Sequence, residues 1–233
     1  MQYYSNYQVK NEILNSMSPE AFGRIMPDLE RVDFPQATPV YSAYEPISHV
    51  YFPEGAMASI FATTSDGHSA EIGVVGREGA AGLSVLMGVD NSPHDCVVQI
   101  PNGAFRIRTA ALKKEFERGE EMHDLVLLYT HKLMTQISQI TLCNRLHTTE
   151  ERFARWLLMC HDRIDGDRIS LTHDLLGLML GVRREGVSIT AALLQKTGAI
   201  SYKRGQITVT NRQLLERTSC ECYEVVKDEY DRK

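Results

Sequence analysis

Between Leu125 and Leu146 the chain runs without a glycine or a proline, and Val126, Thr130, Leu133, Ile137, Ile140 and Asn144 recur at alternating steps of four and three. This is a heptad a/d seam, so the segment predicts a long helix, and a narrow seam on a long helix asks for a second helix to cover it. A two-fold pair is the commonest way to supply one, which makes residues of about 110–147 a dimerisation helix. The same stripe packed against its own chain is the competing reading. Thr130 and Asn144 are polar seam positions of the kind that fix register.

Upstream the pattern has period two. Val50–Phe52, Met57–Thr64, Ser69–Val75, Cys96–Ile100 and Ala104–Arg108 read as short strands separated by turn residues. Asp66-Gly67 between two of them predicts a type I′ hairpin turn. In Ser69–Val75 the residues Ala70, Ile72 and Val74 share one face, expected to be buried, and Ser69, Glu71 and Gly73 the other. Such short strands with frequent punctuation fit a roll or sandwich better than a parallel sheet.

Downstream, Thr148-Thr149-Glu150-Glu151 offers a helix start. Arg163-Ile164 and Arg168-Ile169-Ser170 flank a turn as possible short strands. Thr172 is placed to cap a helix over His173–Leu180, Gly181-Val182 make a turn, and a second helix runs from near Arg183 to Lys196. Val187, Ala191 and Leu194 then face inward, while Arg184, Glu185 and Ser188 face outward. Arginine donates twice to guanine and a carboxylate accepts from cytosine, so these three are the candidate base readers of a helix-turn-helix. Two further strands flank Lys203-Arg204-Gly205, a basic-tipped wing. Its cations, with Thr172 and Arg183, are candidates for the DNA backbone.

Charge distribution supports a nucleic-acid partner for this half only. Residues 1–147 carry 11 basic against 17 acidic groups and residues 148–233 carry 14 against 13, within a net charge of −5. Seven basic residues between Arg183 and Arg217 (Arg183, Arg184, Lys196, Lys203, Arg204, Arg212 and Arg217) face only Glu185 and Glu216. No run of about 18 apolar residues marks a membrane span, and Met1–Lys10 lacks the apolar core of a signal peptide, so the expectation is cytoplasmic. Five cysteines, an odd number, argue against a disulfide framework. Cys220-Glu221-Cys222 has no second cysteine pair nearby in sequence and reads as two incidental thiols, with no metal expected.

The residues also resemble a known family. LTHDLLGLMLGVRREGVSITAALL, from Leu171 to Leu194, and the wing GAISYKRGQITVTNR are similar to the winged helix-turn-helix of Crp/Fnr regulators. VYFPEGAMASIFATTSDGHSAEIGVVGREGAAG, from Val50 to Gly82, resembles their cyclic-nucleotide-binding-like domain. The resemblance spans roughly Val40 to Tyr223 and implies a β-roll, a dimer helix and a winged helix, in that order. It also implies double-stranded DNA, a second copy of the chain and RNA polymerase as partners.

Within that resemblance Arg184 and Glu185 stand where the family reads bases. Ile189 stands where the cyclic-AMP receptor has a further DNA-contacting arginine. The phosphate cassette departs from the nucleotide-binding members: Gly82-Leu83 and His94-Asp95 replace the expected Gly-Glu and the later arginine pair. An effector pocket at Gly82, Leu83, His94 and Asp95 therefore lacks both the ribose-binding carboxylate and the phosphate-binding arginine, and cyclic AMP is not expected there. No cysteine precedes Cys96, which argues against an Fnr-type iron–sulfur cluster. Haem ligation by His49, His68 or His94 stays open at this point.

Together these readings give an α+β chain: a jelly-roll-like sensor domain with its dimerisation helix over 1–147, and a winged helix-turn-helix over 148–233. The function expected is sequence-specific transcription regulation without an enzymatic activity, a cofactor or a membrane partner. The rivals are a cupin-like metalloenzyme using His68, Glu71 and His94, and a dimeric protein-interaction module.

Overall fold

The computed structural model describes residues 9–171, 173–203 and 205–232. The chain packs as two compact units. One comprises the residues up to Phe61 together with Val74–His131; the other comprises Ala62–Gly73 and everything from Lys132 onward. The expected border at 147/148 thus falls inside the second unit.

The first unit begins with two short helices, α1 (Glu12–Ser16) and α2 (Pro19–Ile25). Asn11 caps α1 by accepting from the Leu14 amide, and its buried side-chain amide donates to the carbonyls of Pro53 and Gly79. One side chain thereby ends the helix and pins it to the roll. Strands β1 (Glu30–Phe34), β2 (Pro39–Tyr41), β3 (His49–Pro53), β4 (Met57–Thr63), β5 (Ser69–Val75), β6 (Asp95–Ile100) and β7 (Asn102–Arg108) form two sheets, ordered β1-β7-β3 and β2-β6-β4-β5. The pairs β1·β7, β3·β7, β2·β6 and β4·β6 are antiparallel. Val50, Phe52, Met57, Val98, Phe105 and Ile107 fill the core from alternating positions. This is the α+β roll expected from the period-two segments.

Helix α3 (Thr109–Phe116) follows the roll and a turn separates it from α4 (Glu121–Leu146), so the expected helix over about 110–147 is two helices. The buried residues of α4 include Met122, Val126, Tyr129, Gln136, Ile140 and Cys143. Val126 at 1% and Ile140 at 3% exposure are covered within the chain itself and cannot also face a partner helix. That corrects the seam. The apolar residues that α4 leaves exposed are Leu127, Leu128, Met134, Leu142 and Leu146.

The tip of the β4–β5 hairpin also differs from expectation. Gly67 has φ +86°, but Asp66 is not among the positive-φ residues, so the turn is not type I′. Instead the Gly67 amide donates to the Thr64 carbonyl and the Thr64 amide to the His68 carbonyl, closing a three-residue loop that needs one left-handed position. The burial of β5 departs from simple alternation as well: Val74 is buried as expected, but Ala70 is exposed, while Glu71 and Gly73 are buried. Glu71 is tolerated inside because the indole N–H of Trp156 donates to it at 2.9 Å. A Cβ on Gly73 would lie in ordinary contact with Gln136, Ile137 and Leu133 of α4.

The second unit continues with α5 (Thr149–His161), β8 (Arg168–Ser170), α6 (His173–Leu180), α7 (Arg184–Thr197), β9 (Ile200–Lys203), β10 (Gln206–Val209), α8 (Arg212–Thr218) and α9 (Cys222–Asp231). Thr148 and Glu151 form a reciprocal capping box at the start of α5. From Phe153 to Cys160 every residue of α5 is buried, Arg155 included, so this helix is the unit's central post. Arg163-Ile164 is not a strand. The Arg163 guanidinium is buried, donates to the Met159 carbonyl and lies 5.2 Å from the centre of the Tyr230 ring. Among the described residues no helix is long and apolar enough to cross a membrane.

Candidate nucleic-acid interface

The α6–α7 pair is fixed by its turn. The Val182 amide donates to the Gly177 carbonyl at 3.0 Å, and a Cβ on Gly177 would come within 2.9 Å of the Val182 carbonyl oxygen, so the helix reaches the turn closely only with glycine there. Gly181 adopts φ +62°. Arg152 of α5 donates to the Leu180 carbonyl, tying the end of α6 to the central post. Leu176, Leu180, Val187, Ala191 and Leu194 are buried, as the helical spacing requires.

On α7 the opposite row is exposed: Glu185, Ser188, Ile189 and Ala192. Ile189, at 63% exposure, is a large apolar side chain with no core to enter. Arg183 holds the N-cap position in an extended conformation and makes no side-chain capping bond. The side chain of Arg184 lies outside the described residues, as do Thr172 and Arg204; only the backbone of Arg184, as first residue of α7, is placed.

The wing is a three-stranded antiparallel sheet, β8-β10-β9, with Ile207 paired to Ile169 on one side and Tyr202 on the other. Lys203 is exposed and pairs with Gln206 as the last strand position, so it sits beside the tip instead of in it. Not all of the basic cluster is available. Arg212 is bound to Asp162 at 2.7 Å and to Glu216 at 2.8 Å, which makes it a structural tie between α8 and the end of α5.

Residues 151–218 match the family described as the Crp-like helix-turn-helix domain. Residues 151–218 are a Crp-like helix-turn-helix domain. The fold agrees along most of the length. FixK2 from Bradyrhizobium japonicum superposes with a TM-score of 0.70 at 19% identity, covering 82% of this chain and 98% of that one. A CRP-family transcriptional regulator from Thermus thermophilus gives 0.67 at 17%, covering 82% and 96%. The c-di-GMP-responsive global regulator CLP from Xanthomonas campestris gives 0.64 at 15%, covering 83% and 100%. No curated protein matches the sequence. The order of roll, long helix and helix-turn-helix along the chain is that of these solved structures, and the Crp-like helix-turn-helix match over residues 151–218 supports a transcription regulator that binds DNA.

Other residues singled out in the sequence have different surroundings. Gly82 is left-handed and precedes a short 3₁₀ turn, Leu83–Met87, with Leu83 buried. The Asp95 carboxylate accepts from the Ala43 amide, a structural bond. His68 is exposed beside Asp66, and Glu71 is engaged by Trp156, so the proposed cupin ligand set of His68, Glu71 and His94 does not come together.

The thiols do come together. Cys143 and His147, one turn apart at the end of α4, meet Cys220 and Cys222 from the α8–α9 junction, with all four ligand atoms within 4.8 Å of one another. The Cys143 and Cys220 sulfurs are 3.4 Å apart, and the Cys222 sulfur is 3.7 Å from His147 Nδ1. The hydrogen bond from Cys220, then the charge of buried Arg155, hold the Cys143 thiol below its ordinary range; its bond to Cys143 pushes Cys220 up. Cys220 and Cys222, read from the sequence as two incidental thiols, thus lie beside Cys143 and His147. Sequence spacing missed the group because its two halves are 77 residues apart; the one local signal was Cys143 and His147 on the same helix face.

Proposed function

We propose that the chain is a homodimeric transcription regulator that reads an inverted-repeat DNA site through α7 and holds the flanking backbone with its wing. The observation that carries this reading is the outward row of α7, Glu185, Ser188 and Ile189, set on a helix that follows the glycine turn of a Crp-like domain. Arg184 at the head of that row suits a guanine, Glu185 a cytosine amino group, and the aliphatic Ile189 a thymine methyl. Arg183, Lys203, Arg204 and Thr172 take the backbone, which positions the helix without carrying sequence information.

Dimerisation is assigned to α4, through the row that its own chain leaves exposed around Leu127 and Met134. Thr130, Leu133, Ile137 and Asn144 border this row, whereas Val126 and Ile140 stay in the protomer core. The roll is the sensor of an unidentified signal and not of cyclic AMP, because His94-Asp95 gives the cassette no phosphate-binding arginine. RNA polymerase is the further partner through which occupancy of the site changes transcription.

The test is selection of bound genomic fragments by the full chain, followed by gel shifts across a salt series. The reading expects enrichment of an inverted repeat whose half-sites lie about one helical turn apart, roughly 34–36 Å. Weak heparin retention and no enriched sequence would instead favour a protein-interaction module.

A further inference from the structure

Three buried thiols and one imidazole converge at the point where α4 ends and α8 meets α9. Cys143 and His147 are four residues apart and share a helix face; Cys220 closes the loop after α8 and Cys222 opens α9. A tetrahedral ion with Zn–S near 2.3 Å and Zn–N near 2.0–2.1 Å sets its ligands about 3.6–3.8 Å from one another. The Cys222–His147 separation of 3.7 Å already meets that geometry, and the 3.4 Å between Cys143 and Cys220 needs to open by only a few tenths of an ångström.

The surroundings also suit an ion. His147 turns Nδ1 toward the sulfurs, while its other nitrogen, Nε2, lies 3.3 Å from the carboxylate of Glu221. A carboxylate on the remote nitrogen of a ligating histidine fixes the ring and raises its basicity, the usual outer partner of such ligands. Arg155, only 3% exposed, faces Cys143 with a positive charge that offsets the excess of three thiolates over a divalent ion. Thiolates with imidazole select zinc and exclude the hard oxygen-seeking cations. The closeness of the four atoms suits one ion, because an iron–sulfur cluster places bridging sulfides between its thiolates and spreads them.

We propose that Cys143, His147, Cys220 and Cys222 bind one structural Zn²⁺ ion that clamps the end of α4 to the α8–α9 junction. The four protein ligands leave no open position, so the site is closed and its role is to hold the C-terminal helices. Binding replaces the protons of the cysteine thiols still protonated, which leave to solvent, with no change of oxidation state. The proposal stands on this geometry and not on the DNA-reading assignment.

The test uses the full chain purified under reducing conditions from zinc-containing medium. Metal analysis is expected to find one zinc per chain. Exchange for Co²⁺ should give the visible d–d bands of a tetrahedral ion with a thiolate charge-transfer band in the near ultraviolet. Cys222→Ser and His147→Gln should lose the metal, and Cys96→Ala, a thiol in the roll, should keep it. Glu221 is exposed, so Glu221→Gln should retain the spectrum while weakening zinc about 10- to 100-fold. Wild-type chain that carries no zinc and gives no tetrahedral cobalt spectrum overturns the proposal, as does a Cys143–Cys220 disulfide that forms when reduced chain is exposed to air with zinc present. Zinc retained by a Cys143, Cys220 and Cys222 triple-serine variant would overturn it equally.

Discussion

The helix-turn-helix and the α4–hairpin region both bury apolar side chains, but they obtain their cover from different distances along the chain. Around α6, α7 and the wing, Leu176, Leu180, Val187, Leu194 and Ile207 are buried among elements contiguous in sequence with α5. Around α4 and the hairpin tip the cover is remote. Glu71 is bound by Trp156, 85 residues away, and Gln136 donates to the Tyr230 hydroxyl, 94 residues away. Lys132 likewise donates to the carbonyls of Tyr230 and Arg232. A locally covered module holds its outer face through its own pattern. A remotely covered one depends on long-range anchors, so damage there should be felt by the whole second unit.

The sharpest way to break that contrast is to remove a remote anchor. Trp156→Ala takes out a fully buried ring and should cost about 3–5 kcal/mol of stability in denaturant unfolding. Trp156→Phe keeps most of the volume and deletes only the N–H to Glu71, so a cost of about 1–3 kcal/mol is expected. A Trp156→Phe cost near zero would mean that the Glu71 bond contributes nothing beyond packing.

The next effect separates the two faces of α4. Met134→Glu, on the exposed row, should yield a folded monomer by sedimentation. Ile140→Ala, in the protomer core, should cost about 2–5 kcal/mol of stability and leave association unchanged at concentrations where the chain is folded. The reverse pattern would restore the seam read from the heptads.

Changes on the locally covered module should leave its fold alone. Arg184→Ala is expected to weaken the selected site by about 1–3 kcal/mol and relax preference at one G·C pair. Lys203→Ala is the smallest. It should weaken all sequences alike and flatten the salt dependence by about one unit.

The same contrast explains how far the sequence was legible. In α7 the buried Val187, Ala191 and Leu194 and the outward Glu185 and Ser188 follow directly from helical spacing, because the covering elements are neighbours and only one face is free. Strands β3 to β7 were found to within a residue or two for the same reason of local alternation, whereas β1 and β2 were not read. In β5 alternation put Ala70 inside and Glu71 outside, and the structure reverses both, since a carboxylate with a distant indole donor can be buried. On α4 two stripes compete for burial, and periodicity cannot say which is taken by the chain itself. The helices α1, α2, α8 and α9 escaped notice because they are short and depend on caps such as Asn11 and on ties such as Arg212. The Cys143, His147, Cys220 and Cys222 group was invisible because proximity across a fold leaves no mark in spacing.

The central claim is that the outward row of α7 reads base edges, and the direct measurement is the affinity of Glu185→Ala and Ile189→Ala for the selected site and its single-base variants over a salt series. The account predicts that each variant loses discrimination at one base pair of the half-site, worth about 1–3 kcal/mol, with its salt dependence unchanged. Uniform weakening on every sequence, with all base preferences intact, would contradict it and leave α7 as a backbone contact.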